Sequence, residues 1–220
     1  MSEENTFSLE QIKQSAQVLV RGGESVRERL QELTVSALTR RQLAEQEIRE
    51  VLGAITEGIS LGAAERTEEV RTALGNALSG VDDALGHAAE AMHLALGEAS
   101  SHVQEFAEQD LKQGIGELKK LEGIFVETVA RVAQSAGGLV KQEMAALTEH
   151  ARHAGTGTGE RVKTVADELG NRLRATAQQA GDAGKHAVRE VSARVAALAS
   201  RKLSEIATRI ADKAEQLKPK

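Results

Sequence analysis

A spacing of eleven residues constrains the fold of this chain more than any other feature of its sequence. The tripeptide Ala-Leu-Gly occurs three times at that spacing, beginning at Ala73, Ala84 and Ala95. Steps of eleven from Leu74 to Leu217 meet fourteen positions, of which eleven are Leu, Val or Ile. A second apolar column precedes the first by four residues, so apolar residues recur with nearly the period of an α-helix. The sequence therefore predicts amphipathic helices and no strands.

The eleven-residue period also indicates how such helices pack. Three helical turns in eleven residues leave a helix straight or slightly right-handed, whereas a heptad repeat imposes a left-handed supercoil. We therefore predict an all-α fold of long amphipathic helices with hendecad periodicity, forming a helical hairpin, a bundle or a right-handed coiled coil. The single proline is Pro219, so no proline interrupts a helix before it.

Glycines and capping residues divide the chain into segments. Ser8 and Ser25 each begin a Ser-x-x-Gln or Ser-x-x-Glu sequence, the pattern of a capping box at a helix start. Gly22-Gly23 and the Gly/Thr-rich sequence near residue 155 are typical of helix ends and linkers. The predicted segments are a short N-terminal helix in 1–23, an amphipathic helix over 24–62, a repeat region over 63–153, a linker at 154–159 and a basic amphipathic helix over 160–217.

The composition argues against a conventional aromatic core and against a secreted or membrane-spanning protein. The chain has three Phe and no Trp, Tyr or Cys, so large anchoring side chains, disulfides and thiolate metal sites are not expected. The acidic N-terminus lacks the basic and apolar regions of a signal peptide. Apolar runs stay far below the roughly 20 residues of a membrane span. We expect a soluble cytoplasmic protein with no transmembrane span.

No residue pattern predicts catalysis. The sequence Gly155–Gly159 follows a predicted helix rather than a strand, so it does not match a dinucleotide-binding loop. His150 and His153 could supply half of a metal site, but no second ligand pair accompanies them. We therefore expect no enzyme, no cofactor and no metal site.

The charge is distributed unevenly along the chain. Residues 1–110 contain 9 Lys and Arg against 20 Asp and Glu, and residues 111–220 contain 19 against 13. Such an asymmetry favours antiparallel self-association or contact with an acidic surface, although two solvated helical faces would also carry it. We expect a homo-oligomer. Nucleic acid is not the expected partner because stacking aromatic residues are absent.

The candidate functional surface is the apolar stripe, together with the cations that border it in the basic half. Long cationic side chains beside an apolar face are typical both of helices at anionic interfaces and of coiled-coil seams. The stripe residues are Val70, Leu74, Val81, Leu85, Met92, Leu96, Val103, Leu118, Phe125, Val129, Val140, Leu147, Val162, Leu173, Val195 and Ile206. The bordering cations are Lys141, Arg152, Lys163, Arg174 and Lys185.

The eleven-residue amphipathic repeat, the Ala-rich stripes and the near absence of aromatic residues resemble those of phasins, the proteins that coat bacterial polyester granules. The segment Thr176–Leu203 is the most similar in texture. The repeat is also similar, more loosely, to apolipoprotein and perilipin repeats. The resemblance implies a non-catalytic protein that coats polyhydroxyalkanoate granules or lipid. The alternative hypothesis is a self-assembling coiled-coil scaffold or filament whose stripe is buried in the oligomer.

Overall fold

The computed structural model describes residues 8–40, 44–66, 69–101, 108–179 and 197–209. This part of the chain is all-α, as predicted, and contains no strand. Residues 197–209 are also helical. The seven helices that precede them are α1 (Leu9–Gly22), α2 (Val26–Thr39), α3 (Glu45–Ala64), α4 (Val70–Ser101), α5 (Glu108–Ser135), α6 (Gly138–Ala154) and α7 (Gly157–Gln179).

Helices α1, α3 and α5 form one layer and run in the same direction. Lys13 pairs with Glu57 and Arg21 with Glu65, both at 3.3 Å, so α1 and α3 are parallel. The pairs Glu45–Lys120 (2.9 Å) and Arg49–Glu127 (3.1 Å) show that α3 and α5 are parallel as well.

Helices α2, α4, α6 and α7 form the second layer. Helix α2 packs on α4. Helix α4 runs parallel to α6 and α7, because Arg71 near its start faces Glu143 of α6 and His93 further along faces Glu168 of α7. The two-residue connection after α5 reverses the chain, which makes α6 antiparallel to α5. The seven helices therefore form a two-layer bundle, with α4 in contact with every other named helix.

Small residues allow neighbouring helices of the bundle to approach each other closely. Helix α4 buries seven alanines, each no more than 4% exposed. In α3, Gly58 and Gly62 lie against α1, where a Cβ on Gly58 would overlap the carbonyl oxygen of Lys13 and lie 2.8 Å from the Cβ of Ala16. Glycine four residues apart is a known means of bringing two helix backbones together. This close packing lets a chain almost without aromatic residues form a continuous core.

The helix boundaries differ from the prediction in three places. Segment 24–62, expected to be one helix, is two, because α2 packs on α4 whereas α3 packs on α1. The expected linker at 154–159 contracts to Gly155 and Thr156, since α7 already begins at Gly157. Segment 160–217 contains most of α7 and the helical residues 197–209, and residues 180–196 and 210–217 lie outside the described part.

One of the two predicted capping boxes is confirmed. The Ser8 hydroxyl accepts from the Gln11 N–H at 3.1 Å, and the Gln11 side chain accepts from the Ser8 N–H at 2.9 Å. The prediction for Ser25 is wrong, because this residue has a left-handed φ of 43° and its side chain makes no capping hydrogen bond. The sharp reversal after Gly23 determines the Ser25 backbone.

Replacing Gly58 with Ala tests the close approach of α1 and α3. The added methyl must push the helices apart, and overpacking of this kind costs about 1–3 kcal/mol, which exceeds the roughly 1 kcal/mol gained in helix propensity. We expect a net loss of unfolding free energy, measured by urea denaturation. The matched control is Gly123→Ala in α5, where a Cβ meets no atom within 4 Å. This variant should be more stable than the native chain, and a gain at Gly58 would contradict the packing argument.

Candidate functional site

The predicted stripe forms the core of the bundle. Twelve of its sixteen residues are at most 6% exposed, and Leu147 is partly buried against the same core. Val103 and Val195 lie outside the described residues, as does the side chain of Leu173. The twelve buried stripe residues are Val70, Leu74, Val81, Leu85, Met92, Leu96, Leu118, Phe125, Val129, Val140, Val162 and Ile206.

Because these residues come from α4, α5, α6, α7 and residues 197–209, the repeat makes successive segments of one chain pack on one another. The twelve stripe residues named above are buried by contacts within a single chain. Their apolar area is already removed from water in this conformation, so contact with another surface requires separation of these helices.

The bordering cations lie on the outside of this core. Lys141 and Arg152 in α6 and Lys163 in α7 are exposed, at the intervals of eleven that the sequence gives them. Arg152 makes an ion pair with Glu149 at 3.5 Å within its own helix, which is a weak interaction at a solvated surface. The side chain of Arg174, and Lys185 altogether, lie outside the described residues.

The start of α7 is fixed to α4 and α5 by two carboxylates. Asp82 accepts from the backbone N–H groups of Gly157 (2.8 Å) and Thr158 (3.0 Å). Glu122 accepts from the N–H and the hydroxyl of Thr156, at 3.0 and 3.1 Å. Carboxylates at a helix N-terminus satisfy its free N–H groups and complement its dipole. The sequence predicted a linker here, and nothing in one sequence indicates which distant acids would cap it.

A cleft of about 230 Å³ lies beside this junction, between α4, α5, α6 and α7. Its walls include Leu78, Phe125, Val129 and Leu147, and its lining is mostly apolar. Gly75, from the first Ala-Leu-Gly triplet, also lines it, and a Cβ there would meet no atom within 4 Å. Sequence analysis predicted Phe125, Val129 and Leu147 as stripe residues but did not predict the cleft.

Neither a cluster of metal-ligating residues nor a membrane-spanning helix is found among the described residues. Within them, no group of three His, Asp or Glu residues could hold a metal ion. No helix in the same ranges is long and apolar enough to cross a membrane. His153 contacts the carbonyl oxygen of Glu149 in its own helix through Nδ1, at 2.9 Å.

Several buried polar atoms in the helix interfaces have no hydrogen-bond partner. They include the hydroxyls of Thr56 and Thr128 and the Nδ1 atoms of His87 and His93. An unpaired buried polar group costs about 1–3 kcal/mol relative to one that is hydrogen-bonded. These unpaired atoms lower the unfolding free energy of the closed bundle. Those of His87 and His93 belong to α4, on which α7 packs.

Burial lowers the pKa of His87, and the nearby Arg161 guanidinium lowers it further, while Glu90 and Asp83 oppose the shift. A folded-state pKa below the unfolded value of about 6.5 means that protons bind the unfolded chain preferentially. Stability from this group is therefore fully present above about pH 6.5 and declines as the pH falls toward the folded-state pKa.

The prediction is that His87→Asn makes the bundle less sensitive to acid. Urea denaturation at pH 7.5 and at pH 5.5 should give a smaller loss of unfolding free energy in the variant than in the native chain. His150→Asn, at an exposed position, is the control and should keep the native loss. An unchanged loss in His87→Asn would show that other groups cause the acid sensitivity.

Comparison with known proteins gives a family but no activity. No curated protein and no solved structure matches the chain. A family described as of unknown function, DUF6781, matches residues 2–212, nearly the whole sequence. The chain belongs to this family of unknown function.

Proposed function

We propose that this protein is a non-catalytic coat for apolar surfaces, such as polyester granules or lipid, and that it adsorbs by opening its helical bundle. The observation that carries the proposal is that one repeated apolar stripe, bordered by exposed cations, contributes twelve residues to the core from α4 onward. An apolar surface can replace that core because it offers the stripe the same removal from water.

Helix α4 is the element that opening would expose. It contributes six of the twelve buried stripe residues, and its neighbour α7 is joined to it by the Asp82 contacts and by apolar packing. Adsorbed helices keep their internal hydrogen bonds, so opening exchanges helix contacts for surface contacts without unfolding the helices.

A reversible disulfide between α4 and α7 tests the opening step. A Cβ at position 157 would lie 3.8 Å from the Cγ of Asp82, close to where the sulfur of a cysteine at 82 would sit, so Asp82→Cys with Gly157→Cys can form a bond. The chain has no other cysteine. We expect the reduced double variant to float with phosphatidylglycerol vesicles or polyhydroxybutyrate particles, and the oxidised one to float at least tenfold less.

The same protein with and without reductant is the internal comparison, and the single variant Asp82→Cys controls for loss of the α7 cap. Light scattering of the unbound protein measures oligomer size in the same samples. Equal flotation of the oxidised and reduced forms would refute opening between α4 and α7. A stable oligomer that never floats would favour the self-assembly hypothesis instead.

Reversing the exposed border cations tests the orientation on the surface. Each cation near an anionic membrane contributes about 1 kcal/mol, so K141E/R152E/K163E should bind anionic vesicles roughly 100-fold less tightly. Binding to neutral phosphatidylcholine vesicles should not change. The readout is the partition coefficient from flotation at low salt.

The matched control reverses three exposed arginines elsewhere, in R29E/R201E/R209E. This variant changes the net charge by the same amount but leaves the border of the stripe intact. If both triple variants lose the same affinity, net charge rather than the stripe border governs binding, and the proposed orientation is wrong.

A further inference from the structure

The cleft beside Phe125 has the shape of a small-molecule site. It encloses about 230 Å³ between α4, α5, α6 and α7, with Leu78, Val129 and Leu147 among its walls. An apolar protein cavity of about 150 Å³ is large enough to hold benzene, so this cleft has room for roughly eight carbon atoms. Its size therefore fits one alkyl chain of medium length.

The cleft is open because a side chain is missing at Gly75. This glycine lies inside α4, where glycine costs about 1 kcal/mol relative to alanine. A Cβ at this position would meet nothing within 4 Å, so close helix packing does not require the glycine. By contrast, Gly58 and Gly62 face the backbone of α1 directly. The absence of a side chain at 75 leaves the apolar walls accessible.

The polar end of the cleft, at the start of α7, carries the negative charge of Asp82, and His150 lines the cleft from α6. Asp82 and Thr156 line it, and Thr156 is held by the carboxylate of Glu122. Two carboxylates thus share one helix N-terminus, whose dipole is equivalent to only about +0.5 charge. A ligand with an anionic head would be repelled by Asp82, whereas a hydroxyl or ester could hydrogen-bond to the Ser79 hydroxyl, which also lines the cleft.

We propose that this cleft binds a single neutral alkyl chain of about six to eight carbons that ends in a hydroxyl or ester group. The inference rests on the proposed function. It names the chemical group by which the protein recognises the granule or lipid that it coats. The alkyl chain inserts between α4 and the hairpin formed by α5 and α6. The stripe residues Phe125, Val129 and Leu147 line the cleft there.

The test compares 1-octanol with octanoate at pH 8, using the full chain in solution without vesicles. Ligand-observed NMR gives the affinity, and a thermal shift reports stabilisation of the folded protein. We expect octanol to bind at least tenfold more tightly than octanoate and to raise the melting temperature. Equal affinity for the two ligands, or no binding by octanol, would overturn the proposal.

Gly75→Leu should fill the cleft and weaken octanol binding at least tenfold. Gly123→Leu is the matched control, since Gly123 is also helical, has open space around it and does not line the cleft. Both variants replace a helical glycine with a better helix former, so both should remain folded. Octanol binding that survives Gly75→Leu unchanged would place the ligand elsewhere and refute the site.

Two further ligands show whether the alkyl chain belongs to a polyester or to a lipid. Methyl 3-hydroxyoctanoate represents a polyester unit and 1-octanoylglycerol represents a lipid, and the one that binds more tightly identifies the source. If neither binds, the inference is overturned. The flotation assay separates this result from the proposed function. Vesicle binding without octanol binding rejects only the cleft, whereas octanol binding without flotation rejects the coat.

Discussion

The close approach of helices through small side chains is the constraint on which the rest of this structure depends. A chain with three Phe and no Trp or Tyr has few large side chains to fill space between helices. Gly58 and Gly62 bring α3 onto α1, and the buried alanines of α4 bring α2, α3, α5 and α7 onto one central helix. Only at this separation do the Leu and Val residues of the stripe meet across the interfaces and exclude water.

The sequence was sufficient to predict the all-α class and the face that α4 buries, because both follow from periodicity along one helix. Leu74, Leu85 and Leu96 were predicted as successive members of a stripe, and all three are at most 1% exposed. Where the chain reverses was harder to predict. Residues 40–44, between α2 and α3, contain no glycine or proline that would mark a helix end in the sequence. The two helices are separate because α2 packs on α4 whereas α3 packs on α1.

Features that depend on residues far apart in sequence could not be predicted at all. Asp82 caps a helix that begins 75 residues later, and neither residue carries a local signal of the other. The Ala-Leu-Gly triplets show that one sequence repeat can have two different surroundings. Gly86 faces the side chain of Arg161, whereas Gly75 lines the open cleft.

The small residues that allow close packing also limit how strongly the bundle holds itself closed. Each buried methylene contributes about 0.8 kcal/mol, so an interface of alanines gains less from burial than one of leucines. On α4, the seven buried alanines dilute the contribution of the leucines, and the buried Nδ1 atoms of His87 and His93 lack hydrogen bonds. In the proposed open form, the leucines recover their burial on the apolar surface. The composition of α4 thus holds the bundle closed less strongly than a leucine-rich helix would in a bundle of the same topology.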